Sequence, residues 1–457
     1  LFALDSTRNG MPTAMYVWLI ACGLVGLTWS LRHRALNRAS RGGGSLSPAS
    51  FVPFPPDAPR LSVLVAAKDE EANIGTCVHT LLEQDYPNFE VIAINDRSGD
   101  RTGPILDEIA AQHHGRLKVV HITALPEGWF GKNNAMAEGV ARADGEWLCF
   151  VDADCRQTSL HTLSVALREA MAQRIDFLSV LPVLETKSFW ERLIQPVCAG
   201  IMLIWFNPER VNDPRSRAAY ANGAFMLMSR ATYDAIGGHN AVRTELNEDM
   251  HMAQRTKAAG RRLCVLENEG LYFTRMYSSF RECWRGWSRI FYGCFKTFPR
   301  LAATLGLLLA SSIFPFISLL IAACGWLLAD AAARPSWTIA LAVTGAVVLT
   351  LESVIFRFMR RARAASWAWL TYAIGAGIGV GMLVAAMRKL GRAATTTWRG
   401  TTYPSASPAA PAGAVIVSSM APAPAALRPA GANASPRTAV PLAAHVPAPA
   451  EAAADVV

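Results

Sequence analysis

The chain has 457 residues, 52% of them hydrophobic and only 17% charged, with 13 Trp and 14 Met. A soluble globular domain carries about 25% charge, so the composition excludes a purely soluble enzyme and also a wholly disordered chain; the length fits one catalytic-sized domain plus other material. The 44 basic residues exceed the 35 acidic by nine, and the surplus is local. Arg32, Arg34, Arg38 and Arg41 form one cluster; Arg357, Arg360, Arg361, Arg363, Arg388, Lys389, Arg392 and Arg399 form another. Both abut apolar runs, as on a cytoplasmic membrane face. No nucleic-acid motif accompanies them, and no nucleic-acid partner is expected.

In chain order, residues 1–10 read as a leader and Met11 as the start. Residues 14–31 are apolar, uncharged and long enough for one spanning helix. The basic cluster behind them predicts an anchor with its C-terminal flank in the cytoplasm rather than a cleaved signal. Residues 37–60, rich in Gly, Ser and Pro, read as a linker. A soluble-looking region spans 61–299. It opens with a strand at 61–67, a helix at 73–84, a strand at 89–96 and a helix at 102–114, capped by Thr102 or Ser98. A strand at 117–122, a helix at 131–143 and a strand at 146–154 follow. Short apolar strands alternating with helices predict an α/β fold with a mainly parallel sheet, whose ligands bind at the carboxyl ends of the strands.

Three apolar stretches come next, at 301–328, 337–356 and 366–387. The loop at 329–336 carries one Arg and the loop at 357–365 carries four, so the first should face out and the second in. Four crossings would then leave Arg388, Lys389, Arg392 and Arg399 outside. The expectation is therefore that 366–387 is re-entrant or lies along the interface. A basic segment, 388–403, precedes an Ala/Pro-rich tail, 404–457. That tail holds ten of the 26 prolines and is expected to be disordered. The nine cysteines form no CxxC pair and read as reduced.

The polar clusters fall where strands end: Lys68 to Glu71, Asn95 to Ser98, and Asp152 with Asp154. Two close carboxylates repel unless a cation sits between them, and Mn²⁺ or Mg²⁺ suits such oxygens. An alternating strand would put both on one side. Asp96, at the end of the second strand, could accept from a nucleobase N–H, whereas Ser98 and Asp100 read better as turn and cap residues. Lys132, after the glycines of PEGWFG, could meet a diphosphate or simply be a surface lysine. Glu248 and Asp249 precede a helix; one could act as a general base, or both could be ordinary helix-start acids. Residues 280–298 are dense in aromatic and basic side chains. Arg285 and Arg289 could turn toward phosphates while Trp284 and Trp287 meet lipid.

Six segments in order then carry a resemblance: VAAKDEEANIG (65–75), LLEQDYPNFEVIAINDRSGDRT (81–102), LPEGWFGKNNA (125–135), FVDADC (150–155), the stretch 222–260 containing NED, and RMYSSFRECWRGWSRI (275–290). Together they resemble glycosyltransferase family 2, in particular membrane-bound members with a GT-A catalytic domain that glycosylate bacterial lipids such as carotenoids, hopanoids and sphingolipids. WRGTTY (398–403) resembles a segment of that subgroup, and the resemblance covers roughly 14–403. It implies that Lys68, Glu70 and Glu71 line the nucleotide pocket, that Asp96 pairs with uracil or another base, and that Asp152 lies near the ribose. Asp154 would hold the metal, Lys132 and Arg289 the donor phosphates, and Asn222, Gly223 and Trp287 the acceptor side. Asp249 would be the base of an inverting reaction. Asp69 stands where the family usually has Asn, and Asn95-Asp96 replaces its paired acids. The Gln-x-x-Arg-Trp signature of processive synthases is absent, its region reading RECWRGW (281–287).

The implied reaction is transfer of one sugar from a nucleotide-diphosphate sugar, a UDP-sugar, to a hydroxyl of a membrane lipid, by a multi-pass inner-membrane protein with a cytoplasmic catalytic domain. The rivals are a processive polysaccharide synthase and a non-catalytic protein on the same fold.

Overall fold

The computed structural model describes residues 11–41, 44–113, 115–390, 396–398 and 401–403; the expected leader and the tail 404–457 lie outside them. The chain begins with α1 (Thr13–Arg41). Then follow β1 (Ser45–Leu46), β2 (Leu61–Ala67), α2 (Ile74–Leu82), β3 (Phe89–Asp96), α3 (Thr102–Gln112), β4 (Leu117–Ile122), α4 (Gly131–Val140) and β5 (Trp147–Asp152). The next run is β6 (Cys155–Gln157), α5 (Thr162–Ala172), β7 (Phe177–Leu181), β8 (Val183–Leu184), α6 (Phe189–Trp205), α7 (Pro208–Asn212) and β9 (Phe225–Ser229). After it come α8 (Arg230–Ala235), α9 (Glu248–Ala258), β10 (Leu263–Asn268), β11 (Tyr272–Thr274) and α10 (Phe280–Phe295). Helices α11 (Phe298–Leu308), α12 (Phe314–Leu328), α13 (Arg334–Arg361) and α14 (Tyr372–Leu390) precede a hairpin of β12 (Thr396–Trp398) and β13 (Thr401–Tyr403).

Eight strands form one sheet in the order β1-β10-β7-β9-β5-β2-β3-β4. β9 runs antiparallel to both its neighbours and the other pairs are parallel. This is the expected α/β, GT-A-like architecture. The apolar run of β2, buried along nearly its whole length, is what a parallel strand covered on both faces requires. One core lies on the side of α2, α3 and α5, and another on the side of α4 and α9.

Several details depart from the sequence reading. The strand expected to reach residue 154 stops at Asp152, where β2 and β9 cease to offer partners: Ala66 faces Asp152 and Phe225 faces Val151. Asp154 therefore sits in a turn and does not share a strand face with Asp152. The segment read as a linker starts as helix and then adds β1 to the sheet edge against β10. Neither Thr102 nor Ser98 caps α3; the Asp100 carboxylate accepts from the Thr102 N–H at 3.0 Å.

α6 is an element the sequence reading did not include. Ser188 and Glu191 form a capping box at its start. Among the described residues, five helical stretches are long and apolar enough to cross a membrane: 13–37, 189–212, 298–328, 334–361 and 368–390. They mark a multi-pass membrane protein. All nine cysteines are free, and Cys324 alone is exposed.

Candidate active site

Parallel register brings the polar clusters to one edge. β2 and β3 end together, with Ala67 opposite Asn95, and β5 ends beside them at Asp152. The loops after β2 and β3 are laced together. The Asp69 N–H donates to Ser98 Oγ (3.0 Å), the Glu70 N–H to Thr102 Oγ1 (2.8 Å) and the Glu71 N–H to Asp100 Oδ2 (3.0 Å). The Gly99 N–H returns to Asp69 Oδ1 at 2.8 Å. Asp69 and Arg97 both adopt φ of 53°, a left-handed conformation that costs energy for such residues and gathers at functional sites. Ser98 and Asp100 are thus the turn-builders expected of them.

Asp96 is buried, and Arg97 grips its carboxylate from Nε (2.7 Å) and Nη2 (3.0 Å). Lys132 is no surface lysine. Its ammonium lies 2.6 Å from Asp152 Oδ1 and 2.7 Å from Glu248 Oε1. Burial pulls its pKa down, but those two carboxylates outweigh it and hold the ammonium well above its ordinary value.

Antiparallel β9 carries its leading residues back alongside the end of β5, and α9 starts against them. The Gly223 N–H donates to Asp249 Oδ2 at 3.0 Å. A Cβ on Gly223 would stand 3.1 Å from Lys132 Nζ and 3.5 Å from both Asp249 and Glu248, so a side chain there would crowd the charged centre. Asn222 builds the same turn, its Oδ1 accepting from the Ala224 N–H at 3.0 Å. Burial, then repulsion from Glu248, pushes the Asp249 carboxyl up to about 7 against the pull of Lys132. Burial, then Asp152 and Glu70, lifts Asp154 to about 7 as well, with the Thr274 hydroxyl opposing.

The residues assigned to the donor, metal, base and acceptor roles all line one cavity of about 1780 Å³. Glu248, read with Asp249 as a candidate base or helix-start acid, is instead the second partner of Lys132. Trp287 departs from expectation. It does not meet lipid but is 5% exposed in the helical core, against Phe291, because α10 is covered by α6 and α14. Its Nε1 lacks a hydrogen-bond partner among the described residues. The cavity also extends between the apolar helices, to Trp29, Arg32, Ser311, Ser312 and Tyr372, which no sequence motif marked.

Among the described residues no group of three or more His, Cys, Asp and Glu side chains converges as a ready-made metal cage. Asp152 and Asp154 nevertheless offer oxygen donors, and the raised Asp154 carboxyl lacks a close cation of its own. Such a pair of oxygen donors would suit a hard divalent ion.

Residues 62–237 match the family described as Glycosyl transferase family 2. A 4,4'-diaponeurosporenoate glycosyltransferase of Staphylococcus aureus strain MRSA252 is 26% identical over 262 residues, 57% of this chain and 68% of that protein. The protein of the same name from strain USA300 matches to the same extent. Among solved structures, a Pyrobaculum calidifontis mannosyltransferase in complex with GDP-Man and Mn²⁺ is 19% identical. That match covers 82% of this chain and 98% of the other, with a TM-score of 0.45. Residues 62–237 thus resemble a family 2 glycosyl transferase domain, and with its long apolar helices the chain reads as a membrane-associated glycosyltransferase.

Proposed function

We propose that the protein transfers a single sugar from a nucleotide-diphosphate sugar, a UDP-sugar, to a hydroxyl of a membrane lipid with inversion, its catalytic domain facing the cytoplasm. The observation that carries this reading is the place of Asp249. Its half-buried carboxyl, poised near 7, lines the same cavity as the acid-rich edge of the sheet and the apolar helices. A general base works best with a pKa near the operating pH. The relatives named for a carotenoid-type acceptor, 4,4'-diaponeurosporenoate, support the lipid side.

In this reading Lys68, Glu70, Glu71 and Asp96 hold the nucleoside, Asp96 turning from Arg97 to the base. Asp154 and Asp152 would hold Mn²⁺ or Mg²⁺, which would supply positive charge toward the diphosphate. Lys132 and Arg289 add positive charge on the phosphates. Asn222, Gly223 and Trp287 bound the acceptor side. Asp249 takes the acceptor hydroxyl's proton as that oxygen bonds to the anomeric carbon. The bond from that carbon to the diphosphate breaks, and the nucleoside diphosphate leaves with the electron pair. One displacement with no enzyme nucleophile inverts the anomeric centre.

Mass spectrometry of lipids from cells expressing the protein, with several labelled nucleotide sugars offered to their membranes, tests the reading. A lipid heavier by one sugar, absent with Asp249→Asn, is expected. Sugar that enters only polymer, or no lipid at all, would overturn it.

A further inference from the structure

The end of the cavity remote from the acids is not wholly apolar. A π-type turn at Leu309–Ile313 interrupts the apolar stretch 298–328, and such turns recur at functional sites. The Trp29 Nε1–H donates to the Ser311 carbonyl at 2.7 Å, and the Tyr372 hydroxyl to Ser312 Oγ at 2.8 Å. Arg32 lies over the Trp29 ring, its guanidinium carbon 5.0 Å from the centroid. It is half-buried, whereas Arg34 is exposed. Arg32 has no hydrogen bond or ion pair among the described residues, and Glu352, whose Oε2 also lacks a partner, is not within ion-pair reach of it. Arg32, Trp29, Ser311, Ser312 and Tyr372 all line the cavity that holds Asp249.

An arginine that only snorkelled would turn its head to water. This one lies half-buried over an indole and lines the cavity with Tyr372, and a charge without an ion partner at such a place ordinarily marks a function. We infer that this end of the cavity is a binding station for the anionic group of a long-chain amphiphile, a carboxylate or phosphate, with Arg32 as its cation and Tyr372 and Ser312 as its polar wall. Resting on the lipid-acceptor reading, this makes the preferred acceptor two-ended: a hydroxyl at Asp249, an apolar body, and an anion at Arg32.

The test is binding to the full chain in detergent, which needs no sugar transfer. A fluorescent long-chain fatty acid should bind wild type roughly tenfold more tightly than its methyl ester. Arg32→Met should abolish that preference, Arg32→Lys should keep part of it, and Tyr372→Phe should weaken it less. Displacement of the probe by a long-chain hydroxy acid, but not by phosphatidylglycerol vesicles, assigns the anion to the acceptor; displacement by both assigns it to a bilayer lipid. Equal affinity of wild type for acid and ester, or a preference that survives Arg32→Met, would overturn the station. Should Arg32→Met fail to fold, the acid and ester comparison on wild type still decides. Acid binding without any lipid glycosylation would leave the station standing and remove the proposed reaction.

Discussion

At the carboxyl edge of the sheet, opposite charges interleave. Lys132 sits between Asp152 and Glu248, and Arg97 on Asp96. In the helical half, Arg32 and Glu352 have no ion pair among the described residues. The two regions share one cavity and are suited to opposite ligands. The first holds a polar network whose internal cations can give way to a metal, phosphates and a base; the second has room for an apolar body with one charged end. A largely intact network with one member removed should therefore lose chemistry, and changes in the helical half should alter which lipid is used.

The largest expected effect is at Asp154. Asp154→Ala should abolish transfer, and chelation should do the same to wild type until Mn²⁺ or Mg²⁺ is returned. A readout apart from activity follows from linkage. Asp154 and Asp249 are both raised from an ordinary 3.8 to about 7, so between those values the folded state binds more protons than the unfolded chain. Stability should fall as pH rises through that window. Mn²⁺, which favours the ionised carboxylates, should raise Tm more at pH 8 than at pH 5. Full activity of Asp154→Ala in metal-free buffer would break the polar half of the comparison.

Next in size is Asp249→Asn, which should cut turnover by roughly 10²–10⁴-fold with donor affinity nearly unchanged. A donor dissociation constant that rises in step with the lost rate would make Asp249 a binding residue. Lys132→Met should act through its neighbours. It leaves Asp152 and Glu248 without their cation, which should cost about 2–3 kcal/mol, less than a fully buried pair because Lys132 and Asp152 keep some exposure. It also removes the charge that pulls Asp249 down, so the rising limb of the pH–rate profile should move to higher pH. An unmoved limb would separate Lys132 from the base. Product size should not change in any of these variants: one sugar per acceptor, as the absent Gln-x-x-Arg-Trp implies. A ladder of products grown from one acceptor would favour a processive synthase.

What the sequence made legible divides along the same line. The strands at 61–67, 89–96 and 117–122 match the structure residue for residue, because buried parallel strands are short apolar runs stopped by charge. Once their order is known, register alone gathers Lys68, Asp96 and Asp152. Pairings made at long range were not legible. Nothing near Lys132 in the sequence announces Glu248 as its partner, and the aromatic pattern of α10 cannot tell lipid from the packed helix that covers Trp287. α6 escaped for a related reason: with Gln195, Pro196 and a buried Glu191 within it, its pattern is neither a clean span nor an amphipathic surface helix.

The smallest expected effect is also the sharpest test of the helical half. Length and composition make both 189–212 and 368–390 candidates to cross a membrane, yet each has both ends against the catalytic domain. In its first turn Glu191 of α6 pairs with Arg275 at 3.0 Å, and α6 leads into α7, whose Asn212 bonds β10 at Val265. Just before α14, Arg361 pairs with Glu267 at 2.7 Å and Arg363 lies against Gly270. Toward its other end, Trp284 of α10 packs over Gly381, and Lys389 shares the active-site cavity with Arg289. Helices anchored at both ends on one side would lie along the membrane surface rather than cross it. The crossings would then be α1, the α11–α12 stretch and α13. Three crossings place Arg357, Arg360, Arg361 and Arg363 on the catalytic side, as the positive-inside rule asks, and with α14 not crossing Arg388 and Lys389 stay there too. Cys324 is the one exposed native cysteine, so Cys324→Ser with Ser405→Cys gives a nearly silent reporter that should leave turnover unchanged. An impermeant thiol reagent should label it only after permeabilisation. Labelling in intact cells would make α14 a true crossing and return the basic flank to the outside.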